Sequence, residues 1–276
     1  MSRNRIIKLT DDIYQIKYYW LGLVNVYFFL VVGEERALLI DTAHSTTGAG
    51  DYAASLTSLP VDVVNTHGHF DHIGGNAEFE QVYLSRADWA VAAEHANYDY
   101  LMQMQRPAVQ VSPPLRLLLS VNRVRQDLEQ SLHVDQTHYV DLPAAGCFDL
   151  GGRTVHILET PGHTRGSICL FDDRSGYLFT GDMLCSGGVL LSFDHSTSVS
   201  EYRDSVNKIR QFYWDNGGKR LVPSHHLPVQ ASIMDRSLEL CDRVISGDLK
   251  GKPADTGVTA GLRVFHKGLR MIYREI

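Results

Sequence analysis

The strongest chemical signal in the sequence is a histidine-rich hexapeptide, His67-Gly68-His69-Phe70-Asp71-His72. Residues two apart on an extended chain face the same side, so His67 and His69 can bind one metal ion together. Asp71 and His72 follow on the next turn and offer a carboxylate oxygen and an imidazole nitrogen at a second position. This combination suits Zn²⁺, and also Fe²⁺ or Mn²⁺. The hexapeptide therefore predicts a metal site.

Further metal ligands are expected far along the chain, because one hexapeptide does not complete a site. Three short segments each place an imidazole or a carboxylate directly after an apolar run. They contain His163, Asp182, and the adjacent pair His225 and His226. Polar residues at the carboxyl ends of strands can converge on a cleft, so these segments are the expected sources of ligands.

The elements that must position these residues follow from the apolar runs and the residues that interrupt them. Strands are predicted at residues 13–19, 23–32, 37–40, 61–65, 154–158, 167–171, 177–180 and 221–223, with a terminal hairpin at 262–265 and 269–273 that turns at Lys267-Gly268. Helices are predicted at residues 50–59, 198–217 and 229–245. This order of strands and helices predicts a layered α/β fold, in a single domain over residues 1–276.

Residues 87–135 differ in composition from the rest of the chain. Ala, Leu, Gln, Met and Arg dominate there, which predicts a helical insertion broken by prolines. Its many apolar residues either pack against the domain or form a lid over the active site. A lid would favour a substrate with a hydrophobic part.

Composition excludes several classes of partner. The 276 residues carry 26 Lys and Arg against 32 Asp and Glu, a net charge of −6 that disfavours binding to long nucleic acids. No segment has the apolar length of a membrane helix, and the first ten residues lack the core of a signal peptide. The four cysteines form no CxxC pair. We therefore expect a cytoplasmic protein with a small-molecule substrate and no membrane partner; the oligomeric state stays open.

Five segments together resemble the metallo-β-lactamase-fold hydrolase superfamily, in its glyoxalase-II and lactonase-like branch. They are THGHFDHIGG (66–75), FDLGG (148–152), ETPGHTRGS (159–167), LFTGD (178–182) and PSHHLP (223–228). The resemblance implies a four-layer αβ/βα sandwich with a dinuclear metal site. By the family's pattern, metal one would be held by His67, His69 and His163, and metal two by Asp71, His72 and His225, with Asp182 bridging them.

The choice of His225 over its neighbour His226 rests on position in the family's P-G-H-G-x-P-like signature. Here Ser224 and His226 stand where glycines are usual, so His226 remains an alternative ligand. The two divalent ions implied by the resemblance are expected to be Zn²⁺, with iron or manganese open.

The resemblance also implies an enzyme that uses a metal-bridging hydroxide to attack a carbonyl substrate. Asp182 would hold both ions, and Asp71 would relay a proton to the leaving group. Candidate substrates are esters, lactones, thioesters and β-lactams. The segments TPGHTRGS and LFTGD resemble the glyoxalase-II branch, although the distance from His72 to His163 is longer than usual there.

Other functions of the same fold stay open. A mononuclear-iron sulfur dioxygenase shares these ligands, and a phosphodiesterase uses the same hexapeptide. Flavin-linked di-iron relatives usually carry Glu in place of His69, which counts against them. A metal-free binding protein is disfavoured, because all seven ligand types are present.

A few further polar residues carry expectations of their own. Asp41 ends a strand and either accepts the ring N–H of a ligand histidine or stabilises a turn. His44 and His195 lie near the cleft or, as the sequence favours, are simply exposed. Ordinary surface histidines are expected at positions His95, His133, His138, His156 and His266.

Overall fold

The computed structural model describes residues 5–20, 24–44, 48–97, 100, 136–257 and 259–274. The chain divides into two compact units. Unit 1 comprises residues 1–84 and 89–141, and unit 2 comprises residues 85–88 and 142–276. The expectation of a single domain over residues 1–276 stays a prediction.

Unit 1 is built on a seven-stranded sheet whose strands pair in chain order. The strands are β1 (Arg5–Lys8), β2 (Ile13–Trp20), β3 (Val24–Val32), β4 (Ala37–Ile40), β5 (Val61–Val64), β6 (Val82–Tyr83) and β7 (Tyr139–Val140). β1 to β4 pair antiparallel, and β4 to β7 pair parallel. The described residues of unit 1 include the helices α1 (Ala49–Leu56), α2 (Phe70–Ile73) and α3 (Trp89–His95).

The core of unit 1 explains why β4 is a continuous apolar run. All four residues of β4 are buried, as expected of a strand that is covered on both faces. Ala49 and Ala53 of α1 pack in the same core cluster as residues of β2 to β5.

Because β4 and β5 are parallel, their carboxyl ends lie at the same edge of the sheet. The segments after Ile40 and after Val64 both leave the sheet at that edge.

Unit 2 contains two sheets and two long helices. The five-stranded sheet comprises β8 (Cys147–Asp149), β9 (Thr154–Glu159), β10 (Ile168–Asp172), β11 (Tyr177–Gly181) and β13 (Arg220–Pro223), in the order β13-β11-β10-β9-β8. The four-stranded sheet comprises β12 (Val189–Leu191), β14 (Lys252–Asp255), β15 (Ala260–His266) and β16 (Leu269–Tyr273), in the order β12-β16-β15-β14. The helices are α4 (Val199–Asp215) and α5 (Ser232–Ile245).

The ends of the longer elements follow their local sequence signals. Ser198 and Glu201 form a complete capping box at the start of α4, as their spacing predicts. The terminal hairpin of β15 and β16 turns at Lys267 and Gly268, which both adopt positive φ angles.

One core cluster joins the buried faces of α4 and α5 to residues of β10, β11, β15 and β16.

The predicted elements are present, with ends that differ by a few residues. The strands that were not predicted are short or polar: β1, β6, β7, β8, β12 and β14 have two to four residues each. The predicted insertion at 87–135 falls largely on residues 98–99 and 101–135, which lie outside the described residues; α3 covers its beginning. Among the helices that the structure describes, none combines the length and the apolar character needed to cross a bilayer.

Candidate metal centre

Unit 1 brings the histidines of the hexapeptide together at the carboxyl edge of its sheet. His67 follows β5 by three residues, His69 is the residue before α2, and His72 lies within α2. All three imidazoles are buried. The ring centroids of His67 and His69 are 4.7 Å apart, and those of His67 and His72 are 4.0 Å apart. Asp71 lies beside them with its side chain about a fifth exposed, at 22%.

Asp41 fixes the ring of His72. Its Oδ2 lies 2.8 Å from Nδ1 of His72, and its Oδ1 accepts the backbone N–H of Thr66 at 2.7 Å. A carboxylate only accepts, so His72 donates Nδ1–H and keeps the lone pair on Nε2, which is 3.9 Å from Oδ1 of Asp71. The expected contact of Asp41 with a histidine ring N–H is present at His72, whose role as a metal ligand stays a prediction. The φ of 62° at Asp41 is one that Asp tolerates.

The loop after β4 and the hexapeptide are tied together by backbone bonds. The carbonyl of His72 accepts the N–H of Thr42 at 2.9 Å and the side-chain amide of Asn65 at 2.9 Å. Gly74 donates its N–H to the carbonyl of Ala43 at 2.8 Å. These hydrogen bonds fix the loop after β4 against the hexapeptide. They therefore keep Asp41 beside the ring of His72.

Unit 2 brings together a second group of side chains that can bind a metal ion. His163, Asp182 and His225 follow β9, β11 and β13 respectively, and these three strands run in the same direction. Their carboxyl ends therefore meet at one edge of the five-stranded sheet. One oxygen of Asp182 lies 3.6 Å from Nε2 of His163, and the other lies 3.4 Å from Nε2 of His225.

These separations fit a shared cation better than a direct hydrogen bond. His163 donates Nδ1–H to the carbonyl of Leu190 at 2.8 Å, so in the neutral form of the ring the lone pair of Nε2 faces Asp182. A lone pair and a carboxylate repel unless a cation lies between them. Two donor atoms on one tetrahedral zinc ion lie about 3.3 Å apart, close to both separations. The donor set of His163, Asp182 and His225 therefore fits divalent metal.

His225 and His226 differ in burial. His225 is 6% exposed, whereas His226 is exposed and adopts a left-handed backbone with φ of 64°. Their ring centroids are 5.9 Å apart. Nε2 of His225 lies 3.4 Å from Oδ1 of Asp182, and this contact together with the burial of the ring supports the choice of His225 as the ligand.

Asp88 anchors the loop that carries His163, a role that the sequence did not indicate. Its fully buried carboxylate accepts the N–H of Gly166 at 2.7 Å and the hydroxyl of Thr164 at 2.7 Å. A Cβ at Gly166 would lie 2.6 Å from the Asp88 carboxyl carbon, so the contact requires glycine. An isolated aspartate in a short 3₁₀ turn, Arg86–Asp88, has no local signal for this contact.

Two predictions for histidines outside the motifs are wrong. His95 is 1% exposed rather than on the surface, because it lies on the same face of α3 as the buried Val91 and Ala92. His44 is 3% exposed, with its ring against that of Phe70, and burial lowers the pKa of His44 to about 4.

The remaining histidines vary in exposure. His195 is half-buried; burial first, and then the nearby His163, lower the pKa of His195 to about 4. His138 is exposed, as predicted, and His156 is partly buried. His266 is also partly buried, 2.9 Å from Glu239. His133 lies outside the described residues.

Comparisons with known proteins identify the family of the chain. A family model described as the metallo-beta-lactamase superfamily matches residues 21–225. The protein named acyl-coenzyme A thioesterase MBLAC2 from Gallus gallus is 29% identical over 206 residues, which cover 71% of each chain. The hydroxyacylglutathione hydrolase of Synechococcus sp. (strain JA-2-3B'a(2-13)) is 30% identical over 158 residues, which cover 57% of this chain and 47% of that one.

Solved structures show the same fold at lower identity. A metallo-beta-lactamase from Pontibacter korlensis matches with a TM-score of 0.62 at 18% identity, over 87% of this chain and 99% of that one. The FIM-1 enzyme from Pseudomonas aeruginosa, in its mono-zinc form, matches with a TM-score of 0.61 at 15% identity, over 87% of this chain and 96% of that one. At such identities the likeness establishes the fold alone.

Proposed function

Because the chain belongs to the metallo-β-lactamase superfamily, as its motifs predicted, we propose that it is a dinuclear metal-dependent hydrolase of thioesters. The predicted α/β fold class is confirmed by the solved relatives and by the mixed sheets and helices of both units. The observation that carries the proposal is the contact of Asp182 with two imidazoles, one at each carboxylate oxygen.

The proposed ligand assignment combines the two sets. Metal one is assigned to His67, His69 and His163, and metal two to Asp71, His72 and His225, with Asp182 shared between them. The support is the order of the motifs, the family membership and the geometry inside each unit. In unit 1 the ligand atoms of His67 lie within 4.8 Å of those of His69 and His72. Zinc is the proposed metal for this His and Asp donor set, with iron or manganese as alternatives.

The chain's own residues have distinct roles in the proposed reaction. When bound, a pair of divalent ions supplies a nucleophile at neutral pH and polarises the substrate carbonyl. Asp41 and the carbonyl of Leu190 hold the ligand histidines in the tautomer that leaves Nε2 without a proton. Asp71, more exposed than the imidazoles around it, is assigned the transfer of a proton to the leaving group.

The names of the relatives support a thioester as the substrate class. One is named as an acyl-coenzyme A thioesterase and another as a hydroxyacylglutathione hydrolase, and both names describe an acyl group carried by a thiol compound. A thiol has a pKa of about 8.5, so a thiolate can leave near neutral pH with little help from Asp71. We further propose a hydrophobic acyl part, on the composition of residues 87–135, and a cytoplasmic location.

The test compares a panel of substrates and two variants. Purified zinc-loaded protein is assayed with acyl-coenzyme A, S-acyl glutathione, nitrophenyl esters, lactones, nitrocefin and a nitrophenyl phosphodiester. Oxygen uptake is measured on iron-loaded protein. We expect thioesters to be hydrolysed with the highest kcat/KM, and Asp182→Ala to lose more than about 100-fold, since even outer contacts to metal ligands contribute 10- to 100-fold. The control is Asp204→Ala, which removes an exposed carboxylate on α4.

Three outcomes would overturn the proposal. Hydrolysis confined to phosphodiesters would point to the nuclease-like branch of the fold. Oxygen uptake by an iron-containing protein would point to the dioxygenase branch. Full thioesterase activity in Asp182→Ala, with two metals still bound, would remove Asp182 from its assigned role.

A further inference from the structure

The ring of His95 is stacked on the ring of His69 inside unit 1. Their centroids are 4.6 Å apart, and the ring planes differ by 14°. Both imidazoles are buried, His95 at 1% and His69 at 4% exposure. His95 lies 26 positions after His69 and belongs to none of the sequence motifs, so this contact is created by the fold.

His95 also holds the backbone next to His69. Its Nδ1 accepts the N–H of Phe70 at 3.2 Å, and Phe70 is the first residue of α2. The first N–H groups of a helix have no partner within the helix, so this side chain satisfies one of them. One imidazole therefore contacts both the ring of His69 and the peptide that follows it.

The same geometry argues against His95 as a further ligand for the ion on His69. Their ring nitrogens lie within 4.8 Å of each other, which alone would allow a shared metal. The lone pairs of imidazoles lie in the ring planes, however, and two nearly parallel stacked rings direct them side by side. Nδ1 of His95 is in addition occupied by the N–H of Phe70, which places the proton of the neutral ring on Nε2.

His95 is itself held from the other side. The ring of Tyr100 lies 4.3 Å from it, and Ala92, one turn earlier on α3, packs in a cluster with Ile73 of α2 and Leu84. α2 and α3 are thus packed together around the stacked pair. A ring fixed in this way restricts the rotation of the neighbour on which it stacks.

We propose that His95 is a positioning residue that holds the imidazole of His69 in the orientation in which it binds metal one. The inference rests on the proposed function, in which His69 is a ligand. The stack sets the plane of the His69 ring, and the bond to Phe70 sets the backbone from which that ring projects.

The test is titration of metal-free protein with Co²⁺, followed by the ligand-field absorbance, and competition for Zn²⁺ with a chromophoric chelator. We compare wild type with His95→Ala, which removes both contacts, and with His95→Phe, which keeps a flat ring but removes the acceptor. His138→Ala is the control, because His138 is an exposed histidine of the same unit. Circular dichroism confirms that each variant is folded.

We expect His95→Ala to lose about 10- to 100-fold in affinity at one of two sites, with a shifted Co²⁺ spectrum, as for other residues that orient metal ligands. His95→Phe should fall between His95→Ala and wild type. Wild-type affinity and a wild-type spectrum in both variants would overturn the inference. If His95→Ala does not fold, wild-type affinity and a wild-type spectrum in His95→Phe alone would overturn it. Failure of the wild-type protein to bind Co²⁺ or Zn²⁺ would instead overturn the proposed function.

Discussion

Replacement of Asp41 by Asn is expected to weaken metal binding through the tautomer of His72. The carboxylate of Asp41 accepts the Nδ1–H of His72, and it also accepts the backbone N–H and the hydroxyl of Thr66. An Asn side chain keeps one oxygen for Thr66 and turns an NH₂ group toward His72. Nδ1 of His72 must then accept a hydrogen bond, so the proton moves to Nε2, the atom assigned to the metal.

The size of the effect can be worked out in two ways that agree. A hydrogen bond to a charged group contributes about 1.5–3 kcal/mol. Loss of an outer contact to a metal ligand typically costs about 10- to 100-fold in affinity, which corresponds to about 1.4–2.7 kcal/mol. The backbone adds little, because Asn tolerates the left-handed conformation of this position, at φ of 62°, as well as Asp does. We therefore expect a 10- to 100-fold rise in the Kd of the site assigned to metal two, which includes His72.

The assay is competition for Zn²⁺ between the protein and a chromophoric chelator, with the fold checked by circular dichroism. Asp62→Asn is the matched control: Asp62 is also an aspartate of unit 1, but its carboxylate accepts from Arg36. The control should bind Zn²⁺ like wild type. Native folding of Asp41→Asn with unchanged affinity at both sites would refute the assigned role of Asp41 in orienting His72.

Three further predictions concern stability and reactivity. Gly166→Ala places a Cβ 2.6 Å from the Asp88 carboxyl, so we expect urea denaturation to show a loss of about 1–3 kcal/mol; unchanged stability would contradict the packing. Ser198→Ala removes the cap of α4 and should lower the free energy of unfolding by about 1 kcal/mol, whereas an unaltered transition would argue against the capping box. Burial raises the pKa of the Cys169 thiol to about 12, and Cys147 is the least buried of the four cysteines. A thiol reagent at pH 8 should therefore label one cysteine in the native protein and four in guanidinium. The native labelling should disappear in Cys147→Ser. Rapid labelling of more than one native thiol would contradict this burial.

Elements with strong local signals could be predicted from the sequence. The apolar runs of β3 and β4 and the capping residues Ser198 and Glu201 determine their structure within a few neighbours. The two-residue strands β6 and β7 exist only because a parallel neighbour pairs with them. Such short pairs depend on tertiary contacts and leave no periodic pattern.

The candidate site likewise contains residues that could be predicted from the sequence and residues that could not. The hexapeptide and Asp41 were recognisable because the chemistry lies in the residue types and in their position at strand ends. Asp88 was not, because the loop it anchors is far along the chain. His95 was predicted to be a surface residue, although its spacing of four and three residues from Val91 and Ala92 is the signal for the buried face of a helix.

The most direct test is the metal content of the purified protein after equilibrium dialysis against Zn²⁺ and removal of free metal. Elemental analysis should find two divalent ions per chain in wild type and fewer in Asp182→Ala, because that variant lacks the carboxylate that contacts both His163 and His225. A folded wild-type chain that retains no metal would contradict the assignment of all seven side chains as ligands.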